Sequence, residues 1–68
     1  MTPTERKQEV RHNWLVMRNR AIRGEIHWEC IPGIVESECQ AMAELCGGVP
    51  WEWFWPEDWD KGQPRKID

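Results

Sequence analysis

The sequence predicts an all-α fold: a two-helix antiparallel hairpin with a Trp-rich, mostly non-helical C-terminal segment packed on it. Three observations carry that expectation. Val10, Trp14, Met17 and Ala21 recur at spacings of four, three and four, which places them on one face of a helix. Val35, Cys39, Met42 and Cys46 repeat the same spacing. Beyond Gly47-Gly48 the helical period is lost, and apolar residues concentrate in the run Pro50-Trp51-Glu52-Trp53-Phe54-Trp55-Pro56.

The first helix has a chemical start signal. Thr2 suits an N-cap, Pro3 the first helical position, and Glu5 the third, which together read as a capping box with a pre-organised φ. Leu15, Ile22 and Ile26 flank the main stripe, while Arg11, Arg18 and Arg20 fall largely off it. Gly24 costs about 1 kcal/mol relative to Ala inside a helix. The helix is therefore expected over about 3–23, or on to 29 if it survives that glycine.

Ile31-Pro32-Gly33 is the expected break, because Pro disfavours a helical residue before it and Pro-Gly is a turn pair. The second helix is expected over about 33–46, with Glu36 in its first turn, where a carboxylate suits the dipole. Ile34, Ala41 and Leu45 widen its apolar stripe, and Gly47-Gly48 ends it. An aromatic segment is expected over 49–60. Its period of two predicts an extended strand-like piece with Trp51, Trp53 and Trp55 on one face and Phe54 on the other. Pro56-Glu57-Asp58 favours a turn that returns Trp59 beside Trp55. Residues 61–68 are polar, hold Gly62 and Pro64, and read as a loose tail.

Length and charge bound the function. With 68 residues the chain is read as one small domain, 1–68. A domain of this size buries only about 60% of its unfolded surface, so its core is marginal. Six Trp are more than such a core needs, and surplus aromatic surface points to a partner. The net charge of −3 disfavours a general nucleic-acid binder. The charge is segregated: +4 over residues 1–23, −5 over 24–48 and −2 over 49–68, which suggests that the basic first segment packs beside the acidic second. A helix-turn-helix is conceivable, but its second helix carries Glu36, Glu38 and Glu44, which would repel phosphates. No apolar run approaches the ~20 residues of a membrane span. Three Cys without a secretion signal fit a reducing compartment, and the cytoplasm is expected.

Site chemistry is thin. His27-x-x-Cys30 matches half of a zinc site. On one helix, however, Cys39 and Cys46 lie roughly 10 Å apart along the axis. Zinc–sulfur bonds are ~2.3 Å, so that pair cannot share an ion. A site from His12, His27, Cys30 and one further Cys stays open, but the expectation is no metal and no cofactor. Ser37 is the one serine, Glu36 and Glu38 diverge on a helix, and no phosphate loop or nucleophile elbow occurs, so no enzyme is expected.

The leading expectation is a protein–protein interaction module, an inhibitor or adaptor. Trp53, Phe54, Trp55 and Trp59 would be its anchors, and Glu52, Glu57 and Asp58 would steer it toward a basic partner surface. Its size and composition are in the style of phage or mobile-element accessory factors. The alternative is a self-associating assembly component, such as a homodimer with the aromatics at its interface. A small zinc or nucleic-acid module ranks below both.

Overall fold

The computed structural model describes residues 2–59; the tail read at 61–68 lies outside them. The element order is α1 (Pro3–Ile22), a short 3-10 turn (Trp28–Cys30), α2 (Ile31–Cys46) and a second 3-10 turn (Trp51–Phe54). The described residues form no strand. The fold is the all-α hairpin that the two apolar faces predict.

Helix α1 starts where its sequence says. The Thr2 hydroxyl accepts from the Glu5 amide at 3.3 Å, with Pro3 next to the cap. Its end is a glycine device. Gly24 takes φ +80°, the Gly24 amide donates to the Ala21 carbonyl at 3.0 Å, and the Glu25 amide reaches the Arg20 carbonyl at 2.9 Å. This pair of bonds is a Schellman closure, which satisfies carbonyls that a helix end leaves open. The hairpin therefore turns at 23–27.

That placement corrects the second helix boundary. Ile31-Pro32-Gly33 is not the break; α2 begins at Ile31 and carries Pro32 in its first turn. The reason is that a first-turn amide has no intrahelical acceptor, so proline loses nothing there. Ile31 keeps a helical φ of −68° before the proline, and its side chain is fully buried. Burial of that side chain outweighs the local steric preference against α before Pro. At the other end the Gly47 amide donates to the Ala43 carbonyl at 2.9 Å, and Gly47 and Gly48 both take positive φ.

The core is small and contiguous. Val10 and Trp14 from α1, Ile31, Val35 and Cys39 from α2, and Phe54 from the second 3-10 turn are completely buried. Pro56 joins them. Met17, Met42 and Cys46 continue the predicted faces as partly buried neighbours. In contrast Ile34, Ala41 and Leu45, expected to widen the α2 stripe, are exposed.

The aromatic segment differs most from expectation. Residues 51–54 wind into a 3-10 turn, with the Trp53 amide bonded to the Pro50 carbonyl and the Trp55 amide to the Glu52 carbonyl, both at 3.1 Å. A 3-10 turn has three residues per turn, so Trp51 and Phe54 share a side. Phe54 points inward and Trp53 outward, which replaces the alternating arrangement.

The basic α1 packs beside the acidic α2, as the charge segregation suggests, and it also reaches the C-terminal segment. Lys7 pairs with Glu57 at 2.9 Å and Arg11 with Asp58 at 2.8 Å, so the basic helix clasps the C-terminal segment. Its polar contacts with α2 include the Asn13 amide donating to Glu38 and the Arg6 guanidinium approaching the Met42 sulfur at 3.7 Å.

Candidate functional site

Five of the six tryptophans form one connected ring system, with Trp59 at its centre. Trp59 lies 5.8 Å from Trp14, 5.0 Å from Trp28 and 4.9 Å from Trp55, centroid to centroid. Trp55 in turn meets Trp51 edge-on at 6.1 Å and 82°. Such pairs contribute about 0.5–1.5 kcal/mol each beyond their buried area. Trp59 thus returns beside Trp55 as the turn chemistry suggests, and it also ties α1 to the first 3-10 turn. The indole N–H of Trp14 is buried with no acceptor among the described residues.

Trp53 stands apart. It is 41% exposed, rests edge-on against Phe54 at 5.2 Å and 86°, and carries the Lys7 ammonium 4.8 Å from its ring centroid. Lys7 therefore bridges Glu57 and the Trp53 ring. The ammonium thus lies between the exposed ring and the Glu57 carboxylate.

The residues expected to anchor a partner accordingly separate into groups. Phe54 is in the core and is withdrawn from the surface. Trp59 is half-buried in the ring system, so most of its contacts are internal. Glu57 and Asp58 are engaged with Lys7 and Arg11. Trp53 and Glu52 are exposed, and Trp55 is partly so. Three further residues belong with them. An open groove of about 330 Å³ is lined by Pro32, Glu36, Trp51, Glu52 and Trp55. Pro32, Glu36 and Trp51 were not legible as members of this surface, because α2 and the 3-10 turn meet only through tertiary packing. The adjacency of Trp51 to Glu52 was the sole local signal. A second groove of about 300 Å³ is lined by the clasp residues Lys7, Arg11, Glu57 and Asp58 together with Pro56.

Electrostatics mark the interior rather than this surface. Burial, followed by the Glu38 and Glu36 charges, pushes the Cys39 thiol up to about 11. Partial burial raises the Glu38 carboxyl above its usual range; its bond from Asn13 opposes that rise and Glu9 adds to it. Cys39 is thus a packed apolar group, not a reactive thiol. Among the described residues no group of three or more His, Cys, Asp or Glu is placed to hold a metal ion. No helix among them is long and apolar enough to cross a membrane. Comparison with protein-family models, curated proteins and solved structures finds no match.

Proposed function

We propose that this chain works by contact: it docks on another protein through Trp51, Glu52, Trp53 and Trp55 and alters that protein as an inhibitor or adaptor does. The observation that carries the reading is the division within one short segment. Phe54 and Pro56 are sunk in the core while Trp53, between Glu52 and Phe54, stands 41% exposed. The buried pair fixes the backbone, so the exposed indoles are pre-organised and little ordering entropy is lost on docking. Trp is the residue type most enriched among interface anchors. Glu52 and Glu36 beside the rings favour a partner with a basic surface.

The test is affinity capture from the source cell with Trp53→Ala as control. A stoichiometric partner that wild type retains and the folded variant loses supports the reading. Equal retention by the variant removes it.

A second reading, self-association, has its own observation. Ile34, Ala41 and Leu45 are seven and four residues apart, share one face of α2, and are exposed, with Ile34 at 49% and Leu45 at 66%. Sedimentation equilibrium distinguishes the two: a dimer that Leu45→Glu dissociates favours self-association, and a monomer at high micromolar concentration excludes it.

A further inference from the structure

We propose that the groove between Trp51, Trp55 and Pro32 is a seat for an organic cation, the lysine or arginine side chain of the docked protein. The inference rests on the docking reading above and names the chemistry that the surface recognises. Its walls are aromatic. Trp51 and Trp55 stand at 82° with centroids 6.1 Å apart, and both line the same open groove, so a guest in the corner meets two indole rings at once. A cation within about 6 Å of a ring centroid is attracted by the negative face of the ring, most strongly for Trp.

The charges agree with the walls. Among the described residues, Glu36 and Glu52 are the ionisable ones lining the groove, and no Lys or Arg lines it. The positive end of the α2 dipole, near Pro32, opposes a cation with about half an elementary charge. Two carboxylates outweigh that half charge. They also disfavour an acidic or phosphorylated ligand, which would meet like charge from both carboxylates.

A neighbouring ring shows the chemistry already at work within the chain. Lys7 sits 4.8 Å from the Trp53 centroid, with Glu57 completing the charge pairing at 2.9 Å. The Trp51/Trp55 groove repeats those parts, indole ring and carboxylate, with no cation among the described residues that line it. Its opening to the surface suits a side chain delivered from outside.

The test uses the full chain and three short blocked peptides, Gly-Lys-Gly, Gly-Arg-Gly and Gly-norleucine-Gly, titrated at constant ionic strength. Norleucine keeps the lysine stem without its charge. Indole N–H resonances report each tryptophan separately. The expected result is a saturable shift at Trp51 and Trp55 with the lysine or arginine peptide and none with norleucine. Glu36→Gln with Glu52→Gln should weaken the effect by about fivefold or more, the fold-change that a lost carboxylate–cation contact of ~1 kcal/mol produces. Both residues are exposed, so this variant keeps the fold. Equal shifts with norleucine, or shifts unchanged in the double-glutamine variant, would overturn the assignment. A captured partner lost with Trp53→Ala but indifferent to the double-glutamine variant would overturn the cation seat and leave the docking reading standing. A cation seat in a chain that captures no partner would do the reverse.

Discussion

Phe54→Ala and Trp53→Ala should have unequal consequences for stability, although the residues are adjacent and both aromatic. Phe54 is completely buried against Val10, Trp14, Ile31, Val35 and Cys39. Truncating a buried Phe costs about 3–5 kcal/mol, from lost transfer energy and the cavity left behind. At typical values of about 0.05–0.15 kcal/mol per residue, a 68-residue domain holds only about 3–10 kcal/mol in total. Phe54→Ala therefore removes about a third or more of the chain's stability at 25 °C. Trp53→Ala removes an edge-on ring contact and an exposed cation–π contact, together about 1–2 kcal/mol. Urea titration followed by helical circular dichroism separates the two, and the expected gap is about 1–4 kcal/mol. Tryptophan fluorescence is the poorer probe because six indoles contribute. Equal losses, or a larger loss for Trp53→Ala, would refute the division of the segment into an inward anchor and an outward ring.

Further outcomes follow from particular sites. Because Cys39 keeps its proton up to about pH 11 when folded, the unfolded chain binds fewer protons above the ordinary thiol range; stability is complete below pH 9 and falls between about 9 and 11. In the same protein a maleimide reagent should label exposed Cys30 well before Cys39, whose modification rate should track unfolding. Glu38→Gln keeps an acceptor for Asn13 while removing a partly desolvated charge near Glu9, so it should raise stability at pH 7 by less than about 1 kcal/mol, with the gain vanishing in acid as the wild-type carboxyl protonates. Gly24→Ala should cost about 1–2 kcal/mol through φ strain alone, since nothing lies within 4 Å of the added Cβ; Gly33→Ala, helical and equally open, should stabilise by about 0.5–1 kcal/mol, and thermal melts of the pair check both signs.

What the sequence disclosed, and what it did not, follows the range of the forces involved. Helix faces were legible because their period is local: Val10, Trp14, Val35 and Cys39 all proved buried. The N-terminal cap was legible for the same reason, since Thr2, Pro3 and Glu5 act within one turn. The turn between helices was ambiguous because Gly24 and Pro32 are both credible breaks, and only burial of Ile31 assigns proline to the first turn of α2. The inward turn of Phe54 was hidden by an alternating pattern that fits an extended chain equally well. Its actual course depends on the 3-10 bonds and on a core supplied by both helices. The clasp joins residues 50 and 47 positions apart, beyond any local signal. Exposure of Ile34 and Leu45 was equally invisible, because a wide apolar stripe predicts burial only where a neighbour exists to cover it.

Oxidative footprinting of the captured complex is the measurement that bears most directly on docking through the aromatic face. Hydroxyl-radical modification of each tryptophan would be compared in the free chain and in the complex. Docking through this surface predicts that Trp51, Trp53 and Trp55 become protected while Trp14, already buried, is unchanged. Protection confined to other surfaces, with Trp53 as reactive as in the free chain, would contradict the account.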